Sequence, residues 1–299
     1  MNSISTFGLN SMVLDAAQRL QSAAATKEVQ EASGLVGQTY GDLGSQSQYL
    51  ISLENEVSQA TTWASNAGTA SNRVQAMYSA VGSMVDQLTS LRSTISSALS
   101  ANDSSTLNSD AKGVLSDLAS LMNTQQAGLY LFSGSRTSTP PVDVSDPPYA
   151  ATTATSTVDT SYYQGDDSAA SVRVSGQQTI TYGVTADTSA FEEAPRVANV
   201  VANVSSGDTT TLQSAYDLIT QAITDLTSVQ GQLSVNASRL SDIQQQQTIY
   251  VSFVQSLADN IQSVDAAAVA TQVSAYNTQL EASYSAIAEI NKMHLVNYL

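Results

Sequence analysis

Few side chains in this sequence of 299 residues have the chemistry that catalysis needs. The chain has no cysteine and a single histidine, His294. Cysteine nucleophiles, thiolate zinc sites and sites built from several histidines are therefore excluded. Asp159, Asp166 and Asp167 carry oxygen ligands of the kind that calcium prefers, but their spacing matches no EF-hand loop. Because Gly165 and Asp166 form a common turn pair, we expect turn chemistry here rather than a metal site.

Neighbouring carboxylates are the remaining candidates for acid and base catalysis. Glu192 adjoins Glu193, and Glu54 lies two residues before Glu56. General acid catalysis needs a cleft and a carboxyl group with a shifted pKa, and glutamates on a solvated helix have neither. The sequence also contains no glycine-rich phosphate loop, HExxH motif or GxSxG motif. We therefore expect a protein that is not an enzyme and that holds no metal or cofactor.

The charge of the chain limits the classes of partner. Ten lysines and arginines stand against 26 aspartates and glutamates, which gives a net charge of -16. This charge argues against binding to nucleic acid or to an anionic membrane. No segment approaches the roughly 18 continuous apolar residues of a membrane span. The first 20 residues lack a basic leader and an apolar core, so we expect neither membrane insertion nor a cleaved signal peptide.

Proline is confined to the middle of the chain. All five prolines lie between residues 140 and 195, and proline breaks the interior of a helix. The flanks are therefore free to form long helices. Two coiled-coil seams with alternating spacings of four and three run through them, one from Leu53 to Leu99 and one from Leu212 to Ile261. Seams of nearly equal length are expected to pack on each other.

Polar residues interrupt both seams. Ser71 and Arg92 lie on the first seam, and Gln230, Gln244 and Gln247 lie on the second. One interpretation is functional: polar seam residues fix the register of two helices or mark where the insert or a neighbouring subunit docks. Alternatively, they lie only at the edge of the seam. The sequence leaves both interpretations open.

Both ends of the chain have narrower amphipathic patterns, over residues 9–30 and 266–294. Narrow amphipathic helices are only marginally stable alone in water, so they need a partner surface. The natural partners are each other and further copies of the chain, and we expect both ends to be mobile in a free monomer. The predicted assembly interface comprises Val13, Leu20, Val269, Val273, Tyr276, Leu280, Ile287, Ile290, Leu295, Val296, Tyr298 and Leu299.

The segment 134–206 differs from both flanks. It holds two Pro-Pro pairs and a stretch of alanine, threonine and serine over residues 150–161. Residues 172–174 and 180–184 alternate apolar and polar side chains with the period of a β-strand, which predicts a hairpin. We expect turns, loops and this hairpin here, and no long helix.

Together these patterns predict a mainly α fold. Its body is a long antiparallel helical bundle, or coiled coil, built from both chain ends, with a third helix over residues 107–121 and a small β-rich insert. The predicted domains are a terminal helical assembly domain of residues 1–35 and 264–299, a long-helix bundle of residues 36–133 and 207–263, and an insert of residues 134–206.

Two sets of residues resemble a known family. The sequence from Gln279 to Asn291, followed by Leu295–Leu299, closely resembles the end of the flagellin superfamily. Within it, the motif GLYLFSGSRT of residues 128–137 resembles the hook-associated protein 3 branch, and insert residues 162–167, 172–174 and 182–184 are similar to the insert of that branch. Residues 32–44 depart from the superfamily, because they lack its basic stretch and its Asp-Asp motif.

The resemblance implies a structural component of the bacterial flagellum. Such a protein is extracellular, is exported through the flagellar type III channel, and forms a ring that joins hook to filament. The implied partners are copies of itself, other hook-associated proteins, flagellin, and an export chaperone that binds the C-terminus. One alternative is a short flagellin that builds the filament itself. Another is a surface adhesin that binds glycans through the aromatic residues of the insert, which are Tyr149, Tyr162, Tyr163, Tyr182 and Phe191.

Overall fold

The computed structural model describes residues 6–101, 106–145, 147 and 149–296. This part of the chain is mainly α-helical with two small antiparallel sheets, which confirms the predicted fold class. The helices are α1 (Thr6–Ser33), α2 (Ser47–Ala101), α3 (Leu107–Met122), α4 (Ser189–Asn203), α5 (Thr209–Gln262) and α6 (Ala266–Val296). The strands are β1 (Gln125–Gln126), β2 (Leu129–Tyr130), β3 (Ser171–Arg173) and β4 (Thr179–Thr181).

The chain forms two compact units. The first contains residues 1–59 and 250–299, and the second contains residues 60–249. The long helices α2 and α5 contribute residues to both units. The division into three domains expected from the sequence stays a prediction.

In the first unit, α1 and α6 pack along each other. They meet at an antiparallel bridge between Leu35 and Ser263, where the Val36 amide donates to the Gln262 carbonyl at 2.7 Å and the Val264 amide donates to the Gly34 carbonyl at 3.0 Å. Because α1 ends and α6 begins at this bridge, the two helices run antiparallel. The Asp265 carboxylate starts α6 by accepting hydrogen bonds from the first free amides, those of Ala267 and Ala268.

The second unit is built on the antiparallel pairing of α2 with α5. The Ser71 hydroxyl donates to the Ala237 carbonyl, and Gly68 and Gly82 lie against Gln244 and Gln230. The predicted seams form the core of this pairing. Its fully buried side chains include Val74, Val81, Leu88 and Ile95 from α2 and Ile219, Leu226, Leu233 and Leu240 from α5. Tyr78 is an exception, because it lies on the predicted seam and yet is exposed.

Helix α4 was not expected from the sequence. It lies in the segment for which only turns, loops and a hairpin were predicted, and it contains Pro195. Proline in a helix interior removes one backbone hydrogen bond and strains the preceding turn. Burial outweighs this cost, because 12 of the 15 residues of α4 are buried. Phe191 packs against Phe132 with ring centroids 5.2 Å apart.

The β structure consists of two hairpins. The predicted hairpin is confirmed, with Val172 opposite Ile180 in the β3–β4 pair. A second, shorter hairpin joins β1 to β2 through Ala127 and Gly128, both of which have positive φ angles. Two positive φ angles are characteristic of the tight turns that suit the twist of a hairpin.

Candidate assembly surface

The predicted interface residues of α1 lie on one stripe of that helix. Val13 and Leu20 are half-buried, and Ala17 and Ala24, which alternate with them along the helix, are buried. The helix presents this stripe to α6, the helix with which it packs in the first unit. The spacing of four and three therefore places these side chains on the face expected from the sequence.

The α6 residues of the predicted interface also form one stripe. Val269 and Ile290 are buried, and Val273, Tyr276, Leu280 and Ile287 are half-buried between exposed neighbours. The seam of α6 thus packs on α1 of the same chain. The role of these residues in contacts between copies stays a prediction. Tyr298 and Leu299 lie outside the described residues, as do the side chains of His294, Leu295 and Val296.

The first unit concentrates exposed apolar side chains. Of the 15 large apolar residues that are exposed in the described part of the chain, ten belong to this unit, although it holds only about a third of the residues. Met12 is 69% exposed and Phe253 is 59% exposed. This concentration of exposed apolar side chains favours the first unit as the part of the chain that binds other proteins. The heptad pattern does not reveal these residues, because they lie off the seams: Met12, Leu14, Val29, Leu35, Tyr40, Tyr49, Ile51, Tyr250, Phe253 and Tyr284.

A hydrogen-bonded joint links α1 to α2 inside the first unit. The Asp42 carboxylate accepts hydrogen bonds from the amides of Gln38 and Thr39 at 3.0 and 2.9 Å, and from the Thr39 hydroxyl. The bonds from Thr39 lower the pKa of Asp42. Gly37 is needed here, because a Cβ at this position would lie 2.2 Å from the Cβ of Asp42. The joint is therefore a defined structure rather than a loose linker.

Two tyrosine–glutamate pairs extend this network. The Tyr40 hydroxyl donates to Glu54 at 2.7 Å, and the Tyr250 hydroxyl donates to Glu56 at 2.7 Å. Each hydrogen bond to a carboxylate raises the pKa of its tyrosine. The candidate catalytic pair Glu54 and Glu56 is thus engaged in separate structural contacts.

The polar residues of the α5 seam face specific features of the second unit. Gln244 and Gln230 lie against Gly68 and Gly82 of α2, where the absence of a side chain makes room for the glutamine amides. Gln247 donates to the Val174 carbonyl at 3.2 Å, next to the β3–β4 hairpin. For Gln247 the docking interpretation is therefore confirmed, because this seam residue binds the insert.

Two of the three aspartates considered as calcium ligands, Asp159 and Asp166, cap turns. Asp166 accepts hydrogen bonds from the amides of Ser135 and Ser168 at 2.8 and 3.0 Å and from the Ser135 hydroxyl, and these bonds, led by the hydroxyl, lower its pKa. Asp159 accepts from the Ser161 amide at 2.9 Å. These contacts confirm turn chemistry. Among the described residues, no group of three or more potential ligands is arranged to hold a metal ion.

The aromatic residues of the insert lie mainly in its core. Tyr149, Tyr162, Tyr182 and Phe191 are buried, and the rings of Tyr149 and Tyr162 meet edge to face at 5.5 Å. The Tyr162 hydroxyl donates to the Ala186 carbonyl at 2.6 Å. Rings that fill a core cannot stack on a sugar, so they do not form the groove that a glycan-binding protein needs.

Comparisons with known proteins agree with this architecture. Residues 216–299 match the sequence model of the bacterial flagellin C-terminal helical region. Among 36 solved chains with significant similarity is a protein from Vibrio parahaemolyticus that is provisionally assigned as a flagellar hook-associated protein. It has a TM-score of 0.56 and 17% identity, and the similarity covers 74% of this chain and 100% of that one. No curated protein matches significantly in sequence.

The two matches confirm the resemblance to the flagellin superfamily and to a hook-associated protein. At 17% identity, the solved structure indicates a shared fold. In the described part of the chain, no helix has the length and apolar character that crossing a membrane requires.

Proposed function

We propose that this chain is a structural component of the bacterial flagellum, and that it acts as a hook-associated junction protein. The observation that carries the proposal is the pairing of α1 with α6, together with the exposed apolar surface of the same unit. The match of residues 216–299 to the flagellin C-terminal region supports it. The chain would act by self-assembly, as a ring of subunits between hook and filament.

Assembly through the first unit follows from the energetics of its helices. The seam between α1 and α6 contains small residues such as Ala17, Ala24 and Ser283, so it buries little apolar surface per turn. Exposed Met12, Leu14 and Tyr284 remain outside it. Neighbouring copies that cover these side chains would bury additional apolar surface, and this burial would stabilise both helices.

The further partners follow from the same proposal. A junction subunit contacts other hook-associated proteins on one side and flagellin on the other, and an export chaperone would hold its C-terminus before assembly. The site of action would be the flagellum, outside the cell, reached through the flagellar type III channel.

A short flagellin is the nearest alternative. Both proteins would use the same terminal helices, and they differ in whether subunits stop at a ring or continue into a filament. The likeness to the Vibrio protein and the motif of residues 128–137 favour the junction role. The glycan-binding alternative has less support, because the aromatic residues that it needs are mainly buried.

Deletion of the gene followed by complementation tests the proposal. A junction protein predicts cells that keep their hooks and shed unpolymerised flagellin into the medium. Loss of the filament protein itself, with hooks and junctions intact, would indicate a flagellin instead. Complementation by a chain that lacks residues 295–299 is expected to fail, while the bundle of residues 45–262 stays folded. A truncated subunit that still joins hook to filament would show that residues 295–299 are not needed at the assembly interface.

A further inference from the structure

Residues 150–161 form a strap that runs along helix α4 in the second unit, in the opposite direction to the helix. The strap has no regular secondary structure, and none of its 12 residues is buried. Its most apolar residue, Val158, is 68% exposed. Burial of strap side chains therefore contributes little to its position, and other contacts must hold it.

Three polar side chains of α4 hold the strap by hydrogen bonds to its main chain. The Asn199 side-chain amide donates to the Ala150 carbonyl at 2.9 Å, and the Arg196 guanidinium donates to the Thr155 carbonyl. The Glu192 carboxylate accepts a hydrogen bond from the Asp159 amide at 2.9 Å. Positions 192, 196 and 199 share one face of α4, because they are separated by four and three residues.

These side chains are far more buried than such groups usually are. Glu192, Arg196 and Asn199 are exposed by only 2, 6 and 3%. Glu192 and Arg196 also pair with each other at 3.1 Å. Buried charged groups require hydrogen-bond partners, and the main chain of the strap provides some of the partners of Glu192 and Arg196. This arrangement resembles a polar groove filled by a bound peptide.

Both α4 and the ends of the strap are fixed by other contacts. The apolar side of α4 lies in the main core through Phe191, Val197 and Val201. Tyr149 and Tyr162 flank the strap, and their rings pack edge to face with their centroids 5.5 Å apart. A loop with closed ends and few buried side chains opens locally at low free energy, while the elements around it stay folded.

We propose that Glu192, Arg196 and Asn199 form a binding site for the main chain of an extended polypeptide, filled within the chain by its own strap. The strap of a second copy can take its place. A second copy carries the same spacing of main-chain groups, and packed subunits bring their segments to high effective concentration. This binding site does not depend on a flagellar role.

Hydrogen exchange on the full chain tests the opening of the strap. In the wild type, amides of the strap are expected to exchange at least about 10-fold faster than those of α4. The substitution Asn199→Ala removes the contact with Ala150, so it is expected to accelerate exchange in the strap about 10-fold and to leave the core of α4 protected. Equal exchange rates in the strap and α4, or acceleration in both, would overturn the inference.

A peptide experiment tests the site itself. Asp159→Pro removes the amide that donates to Glu192, whereas the matched control Asp159→Ala keeps it. A fluorescent peptide of residues 150–161 is expected to bind the Asp159→Pro chain at least about 10-fold more tightly than it binds the wild type or the control, because the internal competitor is weakened. Adding Asn199→Ala should lower that affinity at least about 5-fold. Absence of saturable binding, or binding that is insensitive to Asn199→Ala, contradicts the proposal. Should Asp159→Pro fail to fold, the exchange experiment decides alone.

Discussion

At the scale of single residues, Gly134 combines two constraints that other amino acids do not meet. Its φ angle is +67°, and a Cβ would lie 2.3 Å from the Asp166 carbonyl oxygen. The motif of residues 128–137 thus contains a glycine that the turn against Asp166 requires.

We expect Gly134→Ala to destabilise the second unit by at least about 2 kcal/mol, since it adds backbone strain to a clash with main-chain atoms. Thermal unfolding measures this loss. The control is Gly113→Ala in α3, where a Cβ meets open space. This substitution is expected to stabilise the chain by about 0.5 to 1 kcal/mol. Equal effects of the two substitutions would contradict the assignment.

Glu193 makes the folding stability of the chain depend on pH. Burial, and then the nearby Asp225 carboxylate, raise the pKa of Glu193. The folded state therefore binds a proton at Glu193 more strongly than the unfolded state does. The contribution of this residue to folding stability is present at low pH and is lost as the pH rises through the pKa of the folded state.

The neutral variant Glu193→Gln avoids this loss. It is expected to raise the unfolding temperature by about 1 to 3 °C at pH 7 and to change it little at pH 4. Asp217→Asn, at an exposed site on α5, is the control for the removal of one negative charge. A gain from Glu193→Gln that is the same at both pH values would rule out titration of this carboxyl group as the cause.

At the scale of elements, the stripe on α6 makes the pairing with α1 testable. Val269 is buried on that stripe, and the adjacent Ala268 is exposed. Val269→Asp places a charge in the seam and is expected to cost about 3 kcal/mol, enough to separate the two helices. Faster hydrogen exchange throughout α1 and α6, with α2 and α5 still protected, would be the signature. Ala268→Asp should leave hydrogen exchange unchanged. Similar effects of both variants would show that Val269 does not lie in the contact between α1 and α6.

The heptad spacing was sufficient to predict the long helices and the faces that they bury. From Leu53 to Leu99 and from Leu212 to Ile261, the apolar residues repeat regularly over many turns. Such a repeat is typical of a helix that packs along one neighbouring helix. Helix α4 was harder to predict, because its pattern spans only 15 residues and its polar face, with Glu192, Arg196 and Asn199, is buried under residues 150–161. Pro195 further argued against it. The pattern of Ser189 followed by Glu192 was the available signal for its start.

The candidate assembly surface could be predicted only in part. The terminal seams are periodic, and the structure pairs them within one chain. The exposed residues around them, such as Met12 and Phe253, follow no period. Their exposure depends on which faces α1, α2, α5 and α6 cover, and that is a property of the folded unit.

At the scale of the whole molecule, assembly should depend on the first unit. We expect Met12→Ser with Phe253→Ser to raise the concentration needed for self-association by at least about 10-fold, because the pair removes exposed apolar surface. The unfolding temperature should stay unchanged, since neither side chain is buried. Val235→Ser in the second unit, which removes a similarly exposed residue, is the control for sedimentation analysis. Equal weakening by the control would show that association is not confined to the first unit.

The terminal helices should also respond to assembly. In a free monomer, amides of residues 6–32 and 265–296 are expected to exchange much faster than those of α2 and α5, because their seam buries little apolar surface. Incorporation into an assembly should slow their exchange by at least about 10-fold. Full protection of both segments in the monomer would contradict this expectation.

The bridge between Leu35 and Ser263 joins segments that lie 228 positions apart in the sequence. Closing a loop of this length is slow, and α1 cannot find its partner before α6 has been delivered. A subunit that stops short of residue 266 therefore keeps an unmatched first helix. The complete fold of the first unit thus depends on synthesis of α6, which lies 228 or more positions after the end of α1.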